Sequence, residues 1–215
     1  MSIPVYSAAG GNHGGGSSLS WSHVTADESD RLLLVGTTVF AGADQHVTDV
    51  TYDSVALTRL LRLKTGSSEG DLWYLVAPNT GTHTVVATAN FSAASFAGVS
   101  VGYRNVHQTT PFGNTGTVGG TAGPMTQDVS SATDELVIDV LAFIVTSGVT
   151  VGGGQTQRGQ QLETATGTAM SEEAGAATVT MSWSPIGTIV SWNSLVASLR
   201  GPSVAGGIVF NLQIG

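Results

Sequence analysis

Apolar residues come in short runs bounded by Gly, Asn, Asp or Ser, and helical spacing is nearly absent. This pattern predicts strands near 18–25, 31–40, 47–51, 55–63, 71–76, 82–91 and 95–104. A second set is expected near 125–130, 135–145, 155–162, 167–172, 176–183 and 188–200. The segment "TRLLRL" (58–63) could form a helical turn, but "VTYDSVALTRL" reads better as two strands turning at Asp53-Ser54. The runs "LLLV" (32–35) and "LVIDVLAFIV" (136–145) lack strict alternation, so these strands should be covered on both faces, by the same chain or by a neighbouring subunit.

The two sets are similar. "SDRLLLVGTTVF" (29–40) and "TDELVIDVLAFI" (133–144) share an Asp at the strand start, 104 positions apart at Asp30 and Asp134. "HTVVATANFS" (83–92) resembles "ATVTMSWSP" (177–185), with Thr84 and Thr178 94 positions apart. "FAGVSVGYR" (96–104) resembles "WNSLVASLR" (192–200), which matches Phe96 with Trp192 at an offset of 96. Two such halves packed face to face predict an all-β fold: a jelly-roll-like antiparallel β-sandwich made of two similar halves. The paired Asp residues suit a turn role, with the side chain bonding local amides.

Between the sets, 105–124 is rich in Gly, Thr and Pro and reads as a connection. Residues 1–16 read as a glycine-rich N-terminal arm, 17–202 as the sandwich with halves at about 17–104 and 125–202, and 203–215 as a C-terminal strand or arm. In that last segment Ile208, Phe210, Leu212 and Ile214 recur at period two after Gly206-Gly207.

The run from "SLSWSHV" through "LWYLVAP" (72–78), "GTHTVVAT" (81–88) and "VHQTTPFG" (106–113) resembles a β-sandwich module of bacteriophage virion proteins and bacterial surface proteins. "GGGQTQR" (152–158) and "ATVTMSWS" (177–184) extend the resemblance, which covers about 17–202. It implies the fold; the module is not tied to one activity. The two ends depart from it.

Charge narrows the partners. Only 10% of the 215 residues are charged, the net charge is −8, and Lys64 is the single lysine. Nucleic-acid binding draws on Lys and Arg to neutralise phosphates, so no nucleic-acid partner is expected. A charge-poor surface suits a protein that sits among neighbours, because interface cores are depleted in Lys and Glu. There is no cysteine, hence no disulfide framework. The first residues lack the basic and apolar regions of a secretory leader, and no run approaches the ~18 apolar residues of a spanning helix. Production in a cytoplasm and no membrane partner are the expectations.

Candidate chemistry is sparse. "GVSVG" (98–102) has the form of a hydrolase nucleophile elbow, but Ser100 lies mid-strand with no helix after it. The glycine runs 10–16 and 151–159 lack the following helix of a phosphate loop. Asp27, Glu28 and Asp30 form a calcium candidate in a turn, set against a solvated capping turn. Asp44 and His46 have no third ligand, and the five histidines lack zinc spacing. The adjacent pairs Asp134-Glu135 and Glu172-Glu173 point to opposite strand faces. Trp73 and Tyr74 are candidates for stacking a sugar, while Trp21, Trp183 and Trp192 are expected in the core.

No catalytic constellation and no cofactor emerge. The function expected is that of a non-enzymatic bacteriophage virion structural protein, a capsid decoration protein or a related head or tail fibre subunit. It would be assembled in the host cytoplasm, with other virion proteins and copies of itself as partners. A homo-oligomer is expected, a trimer by analogy with closed virion assemblies, with Ile208, Phe210, Leu212 and Ile214 as partner-binding residues. The alternative is a carbohydrate-binding or adhesive surface module, which would bind a host-surface glycan.

Overall fold

The computed structural model describes residues 2–202. The first half contains β1 (Val5–Thr25), β2 (Leu32–Phe40), β3 (Val47–Tyr52), β4 (Val55–Ala56), β5 (Thr58–Thr65), β6 (Ser68–Val76) and β7 (Gly81–Arg104). The second contains β8 (Phe112–Gly120), β9 (Met125–Val129), β10 (Leu136–Val145), β11 (Val149–Val151), β12 (Thr156–Glu163), β13 (Thr166–Ala174), β14 (Val179–Pro185) and β15 (Ile189–Leu199). The chain is an all-β, antiparallel, sandwich-like protein.

The second half folds as a five-stranded sheet, β12-β13-β10-β15-β8, over a three-stranded sheet, β11-β14-β9. The first half follows the same plan with its long strands shared. The back of β7 pairs with β2 and the front of β1, while the front of β7 pairs with β3 and the back of β1. The ribbon changes layer at the bulges of β1 between Gly14 and Ser18. Asp53 and Ser54 close the β3–β4 hairpin, both at positive φ, as a two-residue hairpin turn requires.

The repeat is carried through to the hydrogen-bond ladder. Leu32 pairs with Tyr103, and Leu136 pairs with Leu199, which preserves the offsets of 104 and 96. The irregularities repeat as well: the bulge in β5 between Arg59 and Leu61 recurs in β12 between Gln157 and Gly159. One expected offset needs correcting. Gly81 pairs with Thr25 and Val179 with Val129, so β7 and β14 align at 98 and Thr84 matches Ser182, not Thr178. A slip of four keeps every side chain on its face, so period-two patterning does not detect it.

The first half is one seven-stranded sheet, β4-β3-β7-β2-β6-β5 with β1 on β7, bent through its long strands. Its β5, β6 and β2, the back of β7 and the front of β1 pack on the five-stranded sheet of the second half, and the remaining strands cover the outside of each half. Leu32, Leu34, Val99 and Val101 meet Ile138, Val140 and Leu195 in the central layer. Leu33 and Val35 turn the other way, toward Trp21, Val50 and Val85. This is why "LLLV" does not alternate, and both covers come from the same chain. Each such fully buried aliphatic side chain contributes about 1.5–3 kcal/mol. The central face relies on Gly70, where a Cβ would overlap the Cβ of Ala142. The packing is nearly two-fold: β5 lies on β8 as β1 lies on β12.

Three expected boundaries are overturned. The glycine-rich arm is the front of β1, paired from Val5 to Gly14 along β7. Its glycines serve close approach, since a Cβ on Gly11 would lie 2.8 Å from the carbonyl of Gly98. The connection 105–124 contains β8, and the strands expected at 82–91 and 95–104 are one strand. The paired halves therefore run 5–104 and 112–199. Ile208, Phe210, Leu212 and Ile214 lie outside the described residues.

Candidate functional site

Gly98, Ser100 and Gly102 of the "GVSVG" stretch lie on the face of β7 turned toward Trp21 and His23 of β1, while Val99 and Val101 point into the central layer. Gly98 leaves room for an indole: a Cβ there would lie 2.5 Å from Cη2 of Trp21. Trp21 Nε1–H donates to Ser100 Oγ at 2.9 Å, and His23 Nδ1 lies 2.9 Å from the same oxygen. Gly102 makes way for His23, whose Nε2 would lie 3.2 Å from a Cβ. Burial lowers the His23 pKa to about 4, so the ring is neutral at pH 7. A serine beside a neutral histidine is the start of a nucleophilic pair. Here Ser100 is fully buried and His23 nearly so, with no carboxylate on the ring's far nitrogen among the described residues. The motif is a socket for two side chains of β1.

A second cluster lies on the same inner side of β6. Glu69 and Asp71, two positions apart on one face, are both fully buried. Across the bulge, β5 presents Arg59, Arg62 and Lys64 to them. Arg62 Nε lies 2.6 Å from Glu69 and Arg59 Nε lies 3.1 Å from Asp71. Arg59 also covers the ring of Trp73 at 4.3 Å, and Lys64 Nζ donates to the carbonyls of Ala41 and Gly42. Burial pushes Glu69 up to about 7, against the pull of Arg62, Lys64 and Arg59. Burial and the neighbouring Glu69 hold Asp71 well above the usual carboxylate range.

The second half has its own buried acid. Asp139 accepts from Trp183 Nε1–H at 2.6 Å and from the Ser171 hydroxyl at 2.6 Å. Burial raises it to about 6, with these bonds pulling it back. At the seam between the halves, Tyr103 donates to Glu172 at 2.8 Å. Arg158 pairs with Glu172 and lies 4.2 Å over the ring of Tyr6.

Glu28 is held by Arg104 at 2.5 Å and by Ser7 at 3.0 Å, while Asp27 faces Arg31. No group of three His, Asp or Glu among the described residues could hold a metal. Trp73 is buried under Arg59, and Tyr74 is half-buried, edge-on to Phe112 at 4.9 Å. Neither offers a free stacking platform, because their sheet is covered on both faces. His46 Nδ1 meets the carbonyl of Asp44, not its carboxylate.

Sequence reasoning missed the two-carboxylate cluster. Its signal was present: charges at period two in "SEGD" (68–71) facing "RLLRLK" (59–64). The His23–Ser100 pair carries no such signal, since 77 positions separate the two. Set beside known protein families, curated proteins and solved structures, the chain matches none of them.

Proposed function

We propose that this chain is a non-enzymatic bacteriophage virion structural protein, a capsid decoration protein or a related fibre subunit, working through subunit contacts. One observation carries the reading. The pairs His83–Asp53 and His13–Glu163 lie at the surface, while Ser100, His23, Glu69, Asp71 and Asp139 of the polar clusters described above are enclosed between layers. There they brace sheets and face no cleft. What the described residues offer to solvent is a charge-poor surface, in a chain with 10% charged residues.

Two further features support this reading. Of the segments that resemble the virion β-sandwich module, 72–78, 81–88 and 177–184 fall mainly on β6, β7 and β14, while 106–111 and 152–155 are connections between strands. Within the second half, pairing of β8 with β15, β9 with β14 and β10 with β13 is nested, which supports the jelly-roll description. The glycan-binding alternative has no exposed Trp73 or Tyr74 ring to rest on.

The test is co-purification with particles. Peptides of this chain should band with DNA-filled particles in a density gradient, at a fixed ratio to the major capsid protein. Recovery only in the soluble fraction at the top of the gradient refutes the reading.

A further inference from the structure

The near two-fold relation breaks down at the end of the seam where β2 and β10 finish. Phe40, 43% exposed at the end of β2, and Ile144, its equivalent on β10, flank this end of the molecule. On one side of the seam lies a cavity of about 300 Å³, lined by Phe40, Ala94, Ile144, Thr164, Ala165 and Thr166. On the other side the equivalent place is narrowed, since a Cβ on Gly66 would lie 3.3 Å from that of Ser191.

The backbone at the cavity lip is strained. The β5–β6 and β12–β13 hairpins share one turn, with Gly66 at φ 57° and Thr164 at φ 55°. Glycine adopts that conformation freely, but a β-branched residue is an outlier there. Strain of this kind collects at ligand clamps and is held in place by its surroundings. The chain uses Gly at the closed turn and keeps Thr at the open one.

We infer that this cavity receives the C-terminal segment of a second copy, with the side chain of Phe210 seated in it. The inference rests on the reading of the chain as a self-assembling subunit. The 203–215 segment carries no charged side chain, and none of the named lining residues is charged. An apolar cavity of about 150 Å³ already holds a benzene ring, so this one takes an aromatic ring with an aliphatic neighbour.

Reach selects a neighbour over the chain's own tail. Pro202 follows β15 at the pole opposite the cavity, because Leu199 pairs with Leu136 while Ser191 pairs with Ile144. At about 3.4 Å per residue, the eight steps from Pro202 to Phe210 extend about 27 Å. The steps from Leu199 back to Ser191 along β15 cover the same rise. Nothing remains for the lateral path to the seam. A copy stacked on the cavity pole brings its tail in directly. Such a tail-into-cavity contact is heterologous and builds rings or filaments.

The test uses three full-length or near-full-length proteins in light-scattering chromatography: wild type, a chain ending at Ser203, and Ala94→Trp, which fills the cavity from an exposed position. Wild type should assemble with concentration, and both variants should stay monomeric with unchanged melting. Mixed together, they should form a 1:1 heterodimer, since one keeps the cavity and the other keeps the tail. Ala165→Asp, on the opposite lip, should behave as Ala94→Trp. Phe210→Ala should weaken assembly by roughly tenfold or more.

Wild-type assembly by Ala94→Trp or Ala165→Asp overturns the cavity as receiver, while loss of assembly on truncation alone would leave the subunit reading standing. A wild type that stays monomeric also overturns the inference, and the virion reading is then decided by particle banding.

Discussion

Gly98→Ala tests whether "GVSVG" is a packing socket. The new methyl would lie 2.5 Å from Cη2 and 2.8 Å from Cζ3 of Trp21, about 1 Å inside ordinary carbon contact. The indole has no free direction in which to slide, since Nε1–H is held by Ser100 Oγ at 2.9 Å. Overpacking of a core costs about 1–3 kcal/mol, and loosening the indole bond adds about 1 kcal/mol. Alanine stiffens the unfolded chain relative to glycine, which returns about 0.4–1 kcal/mol. The net loss is about 2 kcal/mol, or roughly 4–8 °C in melting temperature at this size. Thermal circular dichroism with tryptophan emission reads both the loss and a displaced Trp21. Gly153→Ala is the control, because a Cβ there meets nothing within 4 Å. Ser100→Ala gives a test of sign. It leaves Trp21 and His23 without their shared partner and should destabilise, whereas removing a strained catalytic serine is commonly neutral or stabilising. An unchanged melting temperature and emission spectrum in Gly98→Ala would refute the socket.

The remaining expectations concern charge and the central face. Glu69, Asp71 and Asp139 have raised folded-state pKa values, so their protonated forms favour the folded state; that contribution is lost for Glu69 as pH rises from about 4.5 to 7 and for Asp139 from 3.8 to about 6. The stability of Glu69→Gln relative to wild type should therefore improve between pH 5 and 8, by an amount on the order of 1–3 kcal/mol; a flat difference in chemical denaturation contradicts the buried-acid account. His23 has the opposite sign: its lowered pKa makes stability fall as pH drops from about 6.5 to 4, and His23→Gln should remove that fall. Millimolar calcium should leave the melting temperature unchanged, because Arg104 and Ser7 already hold Glu28; a rise of several degrees would restore the calcium candidate. Gly70→Val should prevent the halves from closing, because even a Cβ there overlaps Ala142, and a soluble variant with a wild-type melting curve would refute the face-to-face packing.

The strand pattern and the repeat were legible because period-two burial is written locally. The double cover of β2 and β10 was legible from its failure to alternate. The front of β1 was not, because Gly10, Gly11 and Gly14 have the composition of a linker. What makes them a strand is the length of β7 opposite them, which no local window contains. Asp30 was legible as a turn residue, although the structure uses its backbone: φ is 54°, and its carbonyl accepts from Val106 N–H at 3.0 Å. The polar groups of the core were the least legible, because their partners are separated by layers and not by sequence.

Comparing the halves position by position separates bracing from function. Trp21 and Ser100 of the first half correspond to Met125 and Val196 of the second, so the first socket has no counterpart in place. Yet the second half rebuilds it elsewhere. Trp183 donates into Asp139, and Asp139 is tied to Ser171. Each sandwich is therefore locked by an indole N–H buried against an oxygen, from unrelated residues on different strands. A need met twice by different chemistry is a need of the fold, since catalysis would tie one residue set to one place. The same comparison at the surface gives the opposite result. Thr164 adopts the backbone of Gly66 at a cost that glycine avoids, and no rebuilt equivalent of its cavity is needed to hold the sheets together. Function is then best sought where the halves differ without structural compensation, at the open side of the seam.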